Sequence, residues 1–254
     1  MSARVAWISV APVKGLALRQ LERCELTEAG VAGDRRFFLV DEHDRLVNSK
    51  GLGVLQQIVP HHDGGVLTLD FPDGTNVSQE LALDGTVDAR FWNVVIAVRA
   101  VAGPWSEAIS AYAHRDLRLV HAPAPATDRM RSGAATVVGT ASLRAIARAL
   151  GVDDVDGRRF RMNFGVDGVE EHEEDGWLGR GVRIGEAVVV PQGNVGRCAV
   201  TTQNPDTGAP DLDTLKALAA YRREVETTEP LPFGVHVAVA QPGSVAVGDA
   251  VEPL

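Results

Sequence analysis

The sequence predicts a β-rich fold of mixed α and β type, and three features predict it. Short segments alternating apolar and polar residues recur along most of the chain, punctuated by turn dipeptides such as Asp73-Gly74 and Asp84-Gly85. Helical patterning is confined to a few stretches, at 104–113, 143–150 and 211–222. The stretch 122–131, A-P-A-P-A-T-D-R-M-R, reads as a linker. It divides the 254 residues into a first unit, 1–122, and a second, 123–254, each able to bury a core.

Residues 4–10 alternate well enough for a half-buried strand, which Pro12 stops and Gly15 turns. Lys14, between them, reads by composition alone as a solvated surface charge. Residues 16–26 fit strand or helix, with strand preferred. A glycine-rich turn at 29–36 then leads into an aromatic-aliphatic strand at Phe37. Arg35 and Arg36, just before it, read on their own as a rim charge pair. Residues 41–44 form a hairpin turn into 45–49. His61-His62-Asp63 reads as a solvated turn, because no second cluster stands at a metal-ligand spacing. Strands follow at 66–71, 75–83 and 93–101, then a helix with Pro104 in its first turn and a strand at 116–121.

The second unit opens with an apolar strand running from Val137 into a helix that ends at Leu150. Thr140 or Ser142 caps that helix, leaving backbone N–H groups free for an anion. Residues 157–163 read as a strand. Arg161 and Asn163, two apart, then share a face, where a cation and an amide suit a phosphate; a fortuitous exposed edge is the plainer alternative. The acidic run 170–175 reads as a solvated loop in spite of His172. Strands at 182–190, 233–240 and 245–252 and a helix capped at 211–214 complete the chain.

One stretch carries chemistry. Residues 192–210 read Q-G-N-V-G-R-C-A-V-T-T-Q-N-P-D-T-G-A-P. Gly196 lets backbone approach a bulky ligand, and Arg197 favours the thiolate of Cys198, the form that attacks or binds metal. The Pro205-Asp206-Thr207-Gly208 run reverses the chain directly afterwards. A thiolate beside a guanidinium suits a soft metal or sulfur chemistry. A single cysteine in an apolar strand is otherwise a small buried hydrophobe.

R-C-x-x-T-T-x-x-P-D-T-G resembles the cofactor-ligating segment of MOSC-domain proteins, in particular the amidoxime-reducing subgroup. Further resemblances run through P-V-K-G at Lys14, G-D-R-R-F-F at 33–38, T-A-S-L at 140–143 and R-F-R-M-N at 159–163. The resemblance implies an N-terminal MOSC-associated β-barrel-like domain and a MOSC β-barrel domain with a few peripheral helices. It implies a molybdenum cofactor with Cys198 as thiolate ligand to the metal. The cofactor's phosphate falls to Lys14, Gly15, Arg36 and Arg161, with Asn163, Arg197, Thr140 and Ser142 around the pterin. Gly15 stands where animal members carry serine, which removes a hydroxyl but keeps an N–H. The implied activity is reduction of N-hydroxylated compounds, with electrons from a separate reductase. Two other readings share these residues: a sulfur-transfer module carrying a persulfide on Cys198, and a noncatalytic cofactor carrier. Against a complete cofactor sulfurase stands the missing pyridoxal-phosphate domain, for which 254 residues are not expected to leave room.

Composition narrows the remainder. A net charge of −9 argues against general nucleic-acid binding. Two cysteines, Cys24 and Cys198, are too few for an iron–sulfur cluster held by about four thiolates. No apolar run approaches the roughly 20 residues that span a bilayer, and no signal peptide is legible, so a reducing cytoplasm is expected. No G-x-G-x-x-G fits at 51–53 or 179–185, so a dinucleotide site is unsupported.

Overall fold

The computed structural model describes residues 2–128 and 133–254. Strand β1 (Arg4–Val10) is followed by the short β2 (Arg19–Leu21), β3 (Arg23–Thr27) and β4 (Gly30–Val31). β5 (Phe37–Val40) and β6 (Leu46–Val47) form a hairpin, and a 3-10 turn covers Gly53–Gln57. β7 (Val59–Asp63), β8 (Val66–Asp70) and β9 (Asn76–Glu80) meander, and β10 (Ala82–Phe91) and β11 (Val94–Ala102) pair as a long hairpin. Helix α1 (Trp105–Ala113) and β12 (Arg118–His121) end the first half. The second half contains β13 (Ala135–Gly139), α2 (Thr140–Leu150), β14 (Phe164–Asp167), β15 (Val182–Ile184) and β16 (Ala187–Gly196). It ends with α3 (Thr214–Tyr221), β17 (Pro232–Gln241), β18 (Gly243–Ala246) and β19 (Val251–Pro253).

The fold is β-rich and mixed, as expected. Among the described residues the largest sheet has the order β19-β15-β16-β17-β13-β14-β1-β2, with β13 and β14 its parallel pair. A second sheet, β10-β11-β12-β5-β6, belongs to the first half alone. These orders are open, not closed barrels. At the place where closure is approached, Arg4 meets Ala250 through an isolated bridge, flanked by backbone hydrogen bonds from Val5 to Asp249, Gly248 to Val5 and Val251 to Ala3.

The first strands of the chain do not stay with the first half. β1 lies beside β14 with Ile8 opposite Phe164, and β3 pairs with β18. The reason is apolar. Val5, Ile8 and Val10 bury their side chains in one core with Phe164, Val166 and Val237, and burial of each such side chain is worth about 1.5–3 kcal/mol. The end of β1 is thereby delivered to the middle of the molecule.

Several local expectations are corrected. Asp84-Gly85 lies within β10, where a register shift between Asp84 and Thr86 absorbs it as a bulge; the hairpin reverses instead at Trp92-Asn93. His61, His62 and Asp63 form the end of β7, paired with β8. Residues 157–160 form a 3-10 turn, and Arg161 is left-handed (φ +52°), so 157–163 is not a strand. The stretch 122–131 lies partly outside the described residues. Before that point Ala122 N donates to Arg36 O at 2.9 Å and Ala126 N to Arg35 O at 2.8 Å.

Two glycines let the cysteine-bearing segment dock on the first half. A Cβ on Gly53 would stand 2.1 Å from the Gly208 carbonyl oxygen, and Gly208 itself has φ +71°. Gly53→Ala must force these backbones apart, and we expect a loss of about 1–3 kcal/mol. The measurement is the urea midpoint; an unchanged midpoint would contradict the close approach.

Candidate cofactor-binding site

A cavity of about 240 Å³ opens where the two halves meet, with Lys14, Arg35, Trp92, Arg161, Cys198 and His236 on its walls. Lys14 follows β1, and its amide donates to Phe37 O at 2.8 Å. Arg35 occupies a left-handed turn (φ +48°) before β5. Arg161 closes the 3-10 turn, Cys198 follows β16, and Trp92 sits at the β10–β11 tip.

A buried carboxylate fixes this geometry. Asp34, 1% exposed, accepts from Ala11 N at 2.7 Å and from Asn163 Nδ2 at 3.0 Å, and pairs with the Arg35 guanidinium. Arg35 also donates to Arg161 O at 3.1 Å. A buried carboxylate is tolerable only with such partners. Through them the ends of β1, the Arg35 turn and the Arg161 turn are held together.

The cations they carry are crowded. Burial lowers the Lys14 pKa, with Arg35 and Arg161 adding to the fall against the opposing pull of Asp128. Burial, then Arg35, brings Arg161 down to about 10. Among the described residues the Arg161 guanidinium makes one hydrogen bond, to Leu16 O at 2.7 Å. Its other N–H groups are available to an anion.

Cys198 is exposed, and Cys24 is buried in the apolar core with its thiol pushed up to about 12 by desolvation. A 3-10 turn, Ala199–Thr202, follows Cys198 directly. Gln203 Nε2 donates to Ser49 O at 2.9 Å and Gln203 Oε1 accepts from Gln56 at 2.8 Å. Arg159 holds the other flank, donating to Gln203 O at 2.9 Å and to both oxygens of Asp211. The thiol therefore stands on a braced loop.

Of the residues named from the sequence, Lys14, Gly15, Arg161, Asn163, Arg197 and Cys198 line the cavity. Asn163 has no hydrogen bonds to spare, and Arg197 has one N–H left. Asn163 donates to Ser9 O and Asp34 and accepts twice from Thr136, so its amide braces the wall and is not available to a ligand. Arg197 donates to Phe233 O, Phe160 O and Met162 Sδ, and burial lowers it to about 9 although neighbouring Cys198 opposes the fall.

Arg36, Thr140 and Ser142 are corrections. Arg36 leans toward β12, with Nη2 3.1 Å from His121 Nε2, and Arg35 stands at the cavity in its place. The left-handed turn at Arg35 produces the exchange, and such a turn is not readable from G-D-R-R. Thr140 donates to Asp167 at 2.8 Å on the exposed side of α2, and Gly139, without a side chain, is the actual cap. Ser142 is fully buried and donates to Glu174 at 2.9 Å. Trp92, Asp128, Thr136 and His236 line the cavity without any earlier signal, because strand pairing and a loop bring them there.

Ser142 belongs to a polar knot behind the sheet, where the acidic run is not a solvated loop. Glu174 is 0% exposed, and burial raises its pKa from 4.5 to about 7. His172, whose backbone N donates to Ser142 Oγ at 2.9 Å, is lowered from 6.5 to about 4 by burial and by Arg222. The two oppose each other. Glu174's contribution to stability is present below pH 4.5 and lost as pH rises through 7; His172's is present above 6.5 and lost as pH falls through 4. Glu174→Gln deletes the first alone. Stability of the wild type relative to this variant then falls between pH 4.5 and 7, by on the order of 3 kcal/mol. Denaturation midpoints across that range measure it, and a flat difference would refute the raised carboxyl.

Fold and site together define a β-rich protein with a cationic cavity and an accessible thiol. Residues 101–252 match the MOSC domain and residues 2–113 the MOSC N-terminal beta barrel domain. The chain belongs to the MOSC-domain family. It is 39% identical over 105 residues to mitochondrial amidoxime reducing component 2 of Homo sapiens, a match covering 36% of this chain and 29% of that protein's length. Mitochondrial amidoxime-reducing component 1 of Xenopus laevis is 25% identical across 97% of this chain and 81% of its own length. The YUAD protein of Bacillus subtilis shares the fold, with a TM-score of 0.51 at 14% identity, covering 99% of this chain and 94% of the other. No described helix is long and apolar enough to cross a membrane.

Proposed function

We propose that this chain is a molybdenum-cofactor-dependent oxidoreductase that reduces N-hydroxylated compounds. The observation that carries the reading is the convergence of Lys14, Arg35 and Arg161 with the exposed Cys198 around one cavity. The donor set fits the group. Three cations, each with N–H groups beyond its protein partners, suit a phosphate, and a lone thiolate suits a metal whose other ligands come from the cofactor. No cluster of three or more His, Cys, Asp or Glu able to hold a bare ion exists among the described residues.

When bound, the cofactor supplies the two-electron chemistry that converts an N-hydroxylated compound to its parent base and water. The chain's own residues bind and orient. Lys14, Arg35 and Arg161 would neutralise the phosphate, with the Gly15 N–H on the same wall to donate to it. Arg197, held by three partners, braces the end of β16 from which the Cys198 thiol projects. Electrons arrive from a separate donor protein. The chain works in the cytoplasm and divides near Ala122, with its first strands crossing into the second half.

Protein made in a cofactor-competent host is expected to hold about one molybdenum and one pterin per chain. Cys198→Ala keeps the fold and loses molybdenum. Arg35→Ala and Arg161→Ala each weaken pterin retention by about tenfold or more, whereas Arg36→Ala leaves it unchanged. Elemental and pterin analysis read these outcomes. A labile sulfane sulfur without molybdenum would replace this reading with sulfur transfer, and cofactor bound without amidoxime reduction by a competent artificial donor would leave a carrier.

A further inference from the structure

The cavity contains a carboxylate at a place meant for an anion. Lys14 Nζ is 2.8 Å from Asp128 Oδ1, and among the described residues this is the ammonium's one carboxylate partner. The same oxygen accepts from Trp92 Nε1 at 2.8 Å. Trp92 sits left-handed (φ +54°) at the tip of the β10–β11 hairpin, so its indole, Asp128 and Lys14 form a bridge along the cavity wall.

The two partners are unequal. The Lys14 side chain is 9% exposed, and the Asp128 side chain is 61% exposed. Lys14 cannot leave without exposing its stem, and its ammonium stays against the Phe91 ring, 5.3 Å from the centroid. Asp128 lies at the open end of the bridge and can turn toward water by giving up its bonds to Lys14 and Trp92, although burial and those same partners act on its carboxyl where it stands. The other carboxylate near these cations, Asp34, does not line the cavity; it is 1% exposed and held by three donors. One acid is a fixture and the other is replaceable.

We propose that Asp128 is a built-in competitor for the Lys14 seat, held there by Trp92 and displaced when a phosphate-bearing ligand enters. The bridge keeps a buried ammonium satisfied in the ligand-free chain and makes entry selective. A monoanion offers Lys14 no more than Asp128 already does, whereas a multiply charged phosphate engages Lys14, Arg35 and Arg161 together. Ligand entry then breaks the indole bond and frees the hairpin tip. The inference rests on the reading of this cavity as a phosphate site.

Calorimetric titration of the full chain with pyrophosphate tests it. Asp128→Asn, whose amide oxygen still accepts from Trp92, is expected to bind about fivefold tighter than wild type. Removal of any nearby negative charge helps an anion at long range, and two controls separate that effect. In about 0.5 M sodium chloride, where charges beyond a few ångströms are screened, the gain must persist. Trp92→Phe changes no charge, frees Asp128 from its second donor, and is expected to tighten binding by a smaller factor. Equal or weaker binding by Asp128→Asn, or a gain that vanishes in salt with none in Trp92→Phe, overturns the competitor and leaves the phosphate site standing. No binding by wild type or either variant removes both.

Discussion

The Asp34 carboxylate is the constraint on which the rest of the site depends. It is buried, so it must be matched, and its partners lie on three separate stretches: Ala11 at the end of β1, Arg35 beside it, and Asn163 before β14. Meeting that requirement positions Lys14, three residues past Ala11, and Arg161, whose carbonyl accepts from Arg35. The cationic wall follows from satisfying one buried anion. Asn163 contributes by spending its whole amide on protein groups, so its importance lies in bracing.

The thiol is positioned by a different set of forces. The loop after Cys198 has little apolar surface to bury, and it is held by polar clasps from both halves. Gln203 bonds Ser49 and Gln56, Gln57 donates to the Thr207 carbonyl at 2.6 Å, and Gly53 meets Gly208 backbone to backbone. Arg158 ties Asp206 to Asp156, and Arg159 ties Asp211 to the Gln203 carbonyl. Two adjacent arginines, Arg158 and Arg159, are thus loop braces. A loop braced in this way presents the Cys198 thiol with little conformational freedom left to lose.

How much of this was legible in the sequence follows from the range of the interactions. β1, β5, α1, β12 and α3 were readable because alternation, helical period and caps are local. Lys14, Gly15, Arg161 and Cys198 were readable through motifs, and all four line the cavity. Failures fall where a distant partner decides. Arg35 displaces Arg36 because a left-handed turn reverses which side chain faces inward, and Arg36 finds His121 on β12. Ser142 reads as a cap until Glu174, 32 residues on, appears buried against it. Asp84-Gly85 has turn chemistry, yet β11 pairs along its whole length and absorbs it as a bulge. Trp92 and Asp128 gave no signal, since neither has a motif and their meeting depends on the hairpin tip reaching the segment that follows β12.

An acidic chain with net charge −9 that concentrates buried cations in one cavity is arranged against its own average. Each cation there is held at some expense, for burial and mutual repulsion depress both Lys14 and Arg161. A ligand bringing negative charge relieves that strain, and only the folded chain can offer it. Lys14, Arg35 and Arg161 approach one another only when β1 has entered the large sheet beside β14, since Arg35 and Arg161 are 126 residues apart. The unfolded chain has no comparable site, so an anion bound here adds its binding energy to the stability of the fold. The interleaving of the first strands with the second half is therefore what couples folding to ligand retention.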